Sequence, residues 1–367
     1  MIQRVHARNF KSLADVNVPI VRPTVLVGRN GAGKSAFVDV LRFVRDAVRD
    51  GLDKALTERQ GIEAVRRWAP TRPYQIEIDL SLDDDVTYGL TLASSGGEGV
   101  VKREFLEGTD SAFSVRKGVF EVKSRRWLVD QDEPGTADLL LRRVGGMLRL
   151  RFMDMAFYGI YPNTLRKPQP PGEIRRLLDD GSNLAAVLQK LIPARLELIR
   201  SALNRVVPDV VNFSVARVGS WLTILLHHAD PGGGAPIERD AAQESDGTLR
   251  ALALITALFA ASARSRPGLI TIEEPEIGIH PGALAALWSL IVEASASVTI
   301  LLTTHSPDLI SRIPTKLLRV VRMEDGVTTI GGLAQHQVEA VQQELFTTGD
   351  LLRIQDLEPE STGAPDV

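Results

Sequence analysis

The sequence contains no cysteine, and aromatic residues make up only 5% of its 367 residues. Without cysteine there is no disulfide framework and no thiolate metal site, which argues against the small stapled domains of secreted proteins. The N-terminus lacks the apolar core of a signal peptide, and the longest apolar run, residues 251–263, is too short to span a bilayer. These absences favour a cytosolic protein without a membrane anchor.

The chain also lacks a large net charge. The chain has 43 Lys and Arg against 46 Asp and Glu, a net charge of -3 at pH 7, so any contact with nucleic acid would need a local basic patch. The best cluster is Arg166, Lys167, Arg175 and Arg176, although such a run is more often a solvated face. An apolar content of 44% is enough for a sizeable core in one large or two ordinary domains.

Residues 28–35, with the sequence GRNGAGKS, fit the Walker A pattern G-x-x-x-x-G-K-S/T. The apolar run at 25–27 predicts a buried strand before this loop, and apolar residues at helical spacing predict a helix after it. A glycine-rich turn alone has no need of Lys34 and Ser35. We therefore expect Lys34 to bridge the β- and γ-phosphates of a nucleotide and Ser35 to bind Mg²⁺. The predicted phosphate-binding residues are Gly28, Arg29, Asn30, Gly31, Ala32, Gly33, Lys34, Ser35 and Ala36.

The middle of the chain shows strand patterns, then helix patterns, then strand patterns again. Alternating apolar residues over 74–82 and 86–92 predict an antiparallel meander that continues to about residue 127, with the aspartates at 83–85 as a hairpin tip rather than a metal site. Two helices are predicted between residues 184 and 208, the first capped by Asp180 or Ser182. Strands are predicted at 210–218 and 221–228. His227 and His228 point to opposite faces of a strand, so we interpret both as structural.

Three further motifs follow along the chain. Ser245, Asp246 and Gly247 open a strongly apolar helix, where the first-turn N–H groups suit an anion, although an ordinary N-cap also explains the serine. Glu273 and Glu274 end a buried strand. Because C-terminal strand ends face the ligand in open α/β sheets, we expect Glu273 to orient Mg²⁺ through water and Glu274 to accept a proton from the attacking water. A second buried run ends at His305, which is expected to reach a γ-phosphate.

These motifs, together with His280 and Pro281 after the acidic pair, resemble the ABC-type ATPase heads of SMC, RecF and OLD-family proteins over most of the chain. Within that group the sequence is most similar to compact bacterial heads without a long coiled coil, and residues 345–352 fit their C-terminal end. The resemblance implies an α/β P-loop NTPase with a mixed central sheet, an antiparallel β lobe and a helical lid. Residues 1–160, 161–208 and 209–367 would be the N-terminal lobe, the lid and the C-terminal lobe of one composite domain.

The same resemblance implies a mechanism. Two heads would sandwich two ATP molecules as a homodimer or higher oligomer, with Ser245 and Gly247 completing the site built by Lys34 and Glu274 of the partner subunit. ATP binding would close the dimer and hydrolysis would reopen it, as a switch in DNA repair or phage defence, with DNA as a candidate ligand. Because the chain ends soon after the ATPase lobe, we expect a separate effector, such as a nuclease.

The sequence departs from the family pattern in three places. Glu273 stands where Asp is more common, Glu244 replaces the usual Leu before the signature serine, and no secure Q-loop glutamine is found. Two alternatives share the Walker A motif: the ATP-binding subunit of a membrane transporter and a small-molecule kinase. The β meander and Ser245-Asp246-Gly247 argue against the transporter, while the signature motif and His305 argue against the kinase.

Overall fold

The structure is a computed structural model that describes residues 1–68, 74–83, 85–108, 113–116, 119–122, 139–143, 147–172, 176–260 and 268–360. The strands are β1 Ile2–Phe10, β2 Leu13–Pro19, β3 Thr24–Val27, β4 Ile76–Leu82, β5 Thr87–Ser95, β6 Glu98–Glu107, β7 Phe113–Arg116, β8 Val119–Val122, β9 Ala156–Tyr158, β10 Val210–Val218, β11 Trp221–His228, β12 Ile237–Asp240, β13 Leu269–Glu273, β14 Thr299–Thr304, β15 Leu318–Glu324 and β16 Val327–Gly331. The helices are α1 Lys34–Asp50, α2 Leu52–Thr57, α3 Ile62–Val65, α4 Leu140–Arg143, α5 Met147–Met153, α6 Pro162–Leu165, α7 Leu184–Lys190, α8 Pro193–Val206, α9 Asp246–Phe259, α10 Leu284–Ser295, α11 Pro307–Ile310, α12 Gln335–Gln342 and α13 Thr348–Ile354.

The chain forms two compact units. The first comprises Met1–Met155 and Pro314–Val367, and the second comprises Ala156–Ile313. Each unit contains both strands and helices.

The first unit contains a mixed sheet with the strand order β8-β7-β6-β5-β4-β1-β2-β16-β15-β3. Strands β4 to β8 form the antiparallel meander that the alternation predicted, and in β4 the apolar residues are buried while the polar residues between them are partly exposed. Strand β3 is buried along its whole length and lies parallel to β15. The predicted strand before the Walker A loop is therefore confirmed.

Helix α1 buries charged residues as well as apolar ones. Asp39 and Asp46 are buried, and both accept hydrogen bonds from Arg59. Burial raises the pKa of Asp39, but hydrogen bonds from Arg59 and from Lys11, whose Nζ lies 2.7 Å from the carboxylate, hold it below its usual value. The helix that starts at the Walker A loop is thus fixed by an ion network as well as by apolar contacts.

The second unit contains three neighbouring parallel strands, β14, β13 and β9, and an antiparallel sheet. Strand β13 pairs in parallel with β14 and with β9, and its apolar residues are fully buried, as expected for a strand covered on both faces. Strands β10, β11 and β12 form the antiparallel sheet, in which β12 was not predicted because its sequence, IERD, has no apolar alternation. Helix α9 is buried from Thr248 to Phe259.

The start of α7 and the C-terminal residues differ from what the sequence predicted. The N-cap of α7 is Asn183, without a side-chain cap; Asp180 instead accepts a hydrogen bond from the Ser182 N–H. Residues 358–367 were expected to be disordered, but the Glu360 N–H donates to the Gly332 carbonyl and Pro359 bridges to Leu333, so residues 359 and 360 pair with the segment that follows β16. Residues 361–367, 123–127 and Arg175 lie outside the described residues.

Within the described part of the chain, no helix combines the length and the apolar character needed to cross a membrane. Among the same residues there is no group of three or more His, Asp or Glu side chains that could hold a metal ion. Asp83, at the predicted hairpin tip, pairs with the N-terminal amino group and with Arg151, whose Nη1 lies 2.6 Å from it.

Candidate nucleotide-binding site

The Walker A loop connects β3 to α1 in the first unit. Its backbone takes a left-handed conformation at Gly31, with φ 79°, and at Gly33, with φ 109°. A Cβ atom at Gly33 would lie 2.2 Å from the Oγ1 atom of Thr328 on β16, whereas a Cβ at Gly31 would meet nothing within 4 Å. Glycine is therefore required at residue 33 for both conformation and space.

Lys34 reaches back across the loop. Its buried ammonium group donates to the carbonyl oxygens of Gly28, at 2.7 Å, and Arg29, at 2.9 Å. Gly33 is the N-cap of α1 and has no side chain to accept the first-turn N–H groups. A fixed cation beside a helix N-terminus suits an anion with several oxygens, such as a polyphosphate, so the residues present fit a nucleotide.

A cleft of about 380 Å³ adjoins the outer side of this loop. It is lined by residues 28–32, by the end of β15, and by Leu352, Asp356 and Leu357 near the C-terminus. Arg29, which is exposed, forms an ion pair with Asp356 at 2.6 Å between Nε and Oδ1. Arg29 thus connects the Walker A loop to the C-terminal segment of the same unit.

The acidic motif lies at the end of β13 in the second unit. Glu274 follows the strand in a left-handed backbone conformation, with φ 48°, and its N–H donates to the Thr303 carbonyl on β14 at 2.9 Å. The Glu274 carboxylate lies 2.9 Å from the Nδ1 atom of His305, which follows β14. Because β13 and β14 are parallel, their C-terminal ends bring this acid and this imidazole together.

Glu276 forms a second contact between the same two strand ends. Its carboxylate accepts a hydrogen bond from the Thr304 hydroxyl at 2.5 Å, and Thr304 Oγ1 in turn accepts from the Ser306 N–H. Burial raises the pKa of Glu276, and the hydrogen bond from Thr304 opposes this effect. The segment after β13 is therefore joined to the end of β14 and the residues after it through two side chains, Glu274 and Glu276.

The signature motif begins α9. Ser245 is the N-cap, and its Oγ accepts from the Thr248 N–H at 3.1 Å, so the ordinary capping role foreseen for it is present. Gly247 packs closely on the segment after the acidic motif, because a Cβ there would lie 2.0 Å from the Gly278 carbonyl oxygen. The signature loop and the acidic segment therefore meet within the second unit.

Two basic side chains hold the residues around Ser245. Arg166 donates to the Glu244 carbonyl at 2.7 Å and pairs with Asp246 at 2.5 Å. His228 lies 2.7 Å from the buried Glu244 carboxylate. Arg166, the first member of the predicted basic cluster, is thus engaged with the signature loop, and His228 has a structural contact, as interpreted from the sequence.

The family described as "AAA domain, putative AbiEii toxin, Type IV TA system" matches residues 24–311, which include the Walker A loop, the signature motif, the acidic pair and His305. The chain belongs to this family. None of the curated proteins compared with this AAA-domain protein matches it.

Several solved structures with a similar fold are SMC head domains. They include an SmcHead bound to the C-winged helix domain of ScpA, with 13% identity, a TM-score of 0.57 and coverage of 92% of this chain and 99% of that one. The SMC head domain from Thermotoga maritima has 14% identity and a TM-score of 0.51, with 90% and 98% covered. An Smc head domain with an extended coiled coil, bound to the C-terminal domain of ScpA and derived from Pyrococcus furiosus, has 13% identity and a TM-score of 0.56, with 94% and 99% covered.

At these identities the likeness shows the fold of this AAA-domain protein. The resemblance to ABC/SMC-type heads and the α/β fold class are confirmed. Several residues that hold the motifs were not foreseen as such: Arg166, His228, Thr304 and the buried Arg250 of α9. For His228 the sequence did hold a signal, Glu244, an acid at a position where leucine is usual and whose carboxylate His228 contacts.

Proposed function

We propose that the protein binds and hydrolyses ATP. The observation that carries this proposal is the fixed pair of Glu274 and His305, in which the carboxylate lies 2.9 Å from the imidazole at the end of two parallel strands. A carboxylate held by its backbone and by a neighbouring imidazole is suited to accept a proton from water. Membership of an AAA-domain family and the Walker A loop support ATP as the substrate.

The proposed roles follow the motifs. Residues 28–36 bind the phosphates through backbone N–H groups, and Lys34 supplies a buried cation for the β- and γ-phosphates. Ser35 and Glu273 are the residues that would hold Mg²⁺, which neutralises phosphate charge when bound. Glu274 acts as the general base, and His305 orients it and contacts the γ-phosphate.

We further propose that two copies of the chain form a homodimer around ATP. Ser245, Asp246 and Gly247 would contact the nucleotide held by the partner subunit, since they lie at the N-terminus of the long helix α9. ATP binding then favours the dimer and hydrolysis releases it. The SMC head fold supports this assembly by analogy of fold alone.

The proposed biological role is that of a switch in DNA repair or phage defence that acts through a separate effector, such as a nuclease. Two of the solved heads with this fold are described as bound to domains of ScpA, so a head of this fold can bind another protein. DNA is a candidate ligand, and a cytosolic location is expected.

The experiment uses Glu274→Gln, which keeps the size of the side chain but removes the base. ATP turnover should fall by about a hundredfold or more, the usual scale for a lost general base, while nucleotide binding is retained. The ATP-bound dimer should then accumulate, and light scattering with and without ATP would detect it. A further Ser245→Arg change should prevent the dimer, because it places a bulky side chain at the proposed contact.

The matched control is Glu197→Gln on α8, where an exposed glutamate pairs with Arg200, one helical turn away. It should hydrolyse ATP at the wild-type rate. If Glu274→Gln also retains that rate, the base lies elsewhere. If no variant changes mass with ATP, the sandwich mechanism is wrong for this protein.

A further inference from the structure

Arg250 is a buried cation on α9, five residues after the signature serine. Its guanidinium donates three hydrogen bonds, all to backbone carbonyls outside its own helix. Nη1 donates to Ile160 at 3.0 Å, and Nη2 donates to Glu273 at 3.0 Å and to Glu274 at 2.8 Å. One side chain therefore holds the backbone of both acidic residues.

The backbone at Glu274 needs such support. A residue with a side chain adopts a φ of 48° only where the surrounding structure holds it there. The N–H of Glu274 is held by Thr303, and its carbonyl accepts from Arg250 and, at 3.2 Å, from the Ile277 N–H. Arg250 supplies a side-chain contact from helix α9 to this turn, in addition to the close packing of Gly247 on Gly278.

The charge of Arg250 also fits this position. Burial lowers its pKa, and the nearby carboxylates of Glu276 and Glu274 oppose that change. A guanidinium offers a rigid, planar set of donors that can reach several acceptors at once, which the single ammonium of lysine does not. The chemistry of the site therefore calls for arginine rather than for any cation.

We propose that Arg250 is a positioning residue for the general base: it fixes the backbone of Glu273 and Glu274 so that the Glu274 carboxylate points to His305 and to the attacking water. This inference rests on the proposed ATPase function. Because Ser245 caps the same helix that carries Arg250, a second copy of the chain that contacts Ser245 would also act, through α9, on the backbone of the base.

A purely structural arginine would behave differently, and Arg319 provides the comparison. It is 8% exposed against 6% for Arg250, and it also donates to three backbone carbonyls, those of Pro19, Lys316 and Leu318, in the first unit. Arg319→Met should reduce stability without changing kcat beyond about twofold. It controls for the loss of a buried guanidinium as such.

The test compares Arg250→Met, Arg250→Lys and Arg319→Met by ATP turnover, nucleotide affinity and hydrogen exchange. In Arg250→Met we expect kcat to fall at least about tenfold while the Kd for ATP changes less than about threefold, since the lost contacts concern the base. Arg250→Lys should restore part of the loss. Amide exchange in a peptide covering residues 273–279 should become faster in Arg250→Met but not in Arg319→Met.

A double mutant separates positioning from general damage. In a Glu274→Gln background the base is already absent, so adding Arg250→Met should lower the residual rate by less than about twofold. An equal fall in both backgrounds would overturn the proposal, and so would an Arg250→Met enzyme with wild-type kcat and wild-type exchange at 273–279. If Arg250→Met fails to fold, Arg250→Lys takes its place in the test. We expect it to show a smaller fall in kcat and a smaller increase in amide exchange at residues 273–279, and wild-type values of both would refute the inference.

The proposed function and this inference fail in different ways. A wild-type protein that does not turn over ATP contradicts the proposed function, and the exchange measurement then still decides whether Arg250 holds the segment at 273–279. A wild-type protein that is active, with an Arg250→Met variant that matches it in all readouts, contradicts only the inference about Arg250.

Discussion

Gly33 in the Walker A loop gives a quantitative test of the loop structure. In Gly33→Ala the new Cβ would lie 2.2 Å from Oγ1, 2.6 Å from Cγ2 and 2.9 Å from Cβ of Thr328. Thr328 has little freedom to move away, because its side chain is β-branched and its hydroxyl lies 2.8 Å from Ser12 Oγ and 3.0 Å from the Ala32 carbonyl oxygen. The substitution therefore combines backbone strain with overpacking.

The expected magnitude comes from these two terms. A left-handed conformation costs an alanine about 1–2 kcal/mol, and overpacking adds about 1–3 kcal/mol. Gly33→Ala should thus lower the free energy of unfolding by about 2–5 kcal/mol. Gly31→Ala is the matched control in the same loop: Gly31 also has a positive φ, but a Cβ there meets nothing within 4 Å, so only the first term of about 1–2 kcal/mol applies.

The assay is urea-induced unfolding of the nucleotide-free protein, followed by circular dichroism. The difference between the two variants isolates the contact with Thr328, and we expect Gly33→Ala to be the less stable by about 1–3 kcal/mol. Equal losses in both variants would show that β16 does not lie against the loop in this way. A greater loss in Gly31→Ala would refute the reasoning altogether.

Three further predictions concern binding and pH. Lys34→Ala should weaken ATP binding by about ten- to a hundredfold, since a hydrogen bond from a charged group contributes about 1.5–3 kcal/mol. Wild-type affinity for a labelled nucleotide would disprove the Walker A assignment. The two ring nitrogens of His6 lie within hydrogen-bond distance of the Asp79 and Asp15 carboxylates. Protonated His6 can donate to both, which raises its pKa above 6.5, Asp79 having the larger effect, while burial opposes the shift. The stability that His6 contributes should therefore be complete below a pH of about 6.5 and lost as the pH rises through the higher pKa of the folded state. The free energies of unfolding of wild type and His6→Gln, measured in urea, should differ more at low pH than at high pH. An equal difference at both pH values would contradict this prediction. If DNA binds the protein directly, log K should change by about -0.9 per phosphate contact with log salt, and no binding at low salt, with or without ATP, would leave DNA recognition to another protein.

Local sequence alone specified the Walker A segment, because each of its determinants lies within a few residues. An apolar run gives the buried strand β3, glycines permit the left-handed backbone at residues 31 and 33, and the helix α1 starts at Lys34. The same holds for Ser245, whose capping bond spans three residues. Alternation likewise predicted the meander, since period-2 burial needs no knowledge of the partner strand.

The tertiary structure decided how the acidic motif and the signature motif are held. Arg250 bonds to Ile160 across 90 positions of the chain, Arg166 to Glu244 across 78, and Glu276 to Thr304 across 28. Two of these contacts end on backbone carbonyls, which every residue possesses, so no residue type at the acceptor position can reveal them. Only the folded chain determines which carbonyl a buried guanidinium reaches, because that depends on how α9 packs against the ends of β9 and β13.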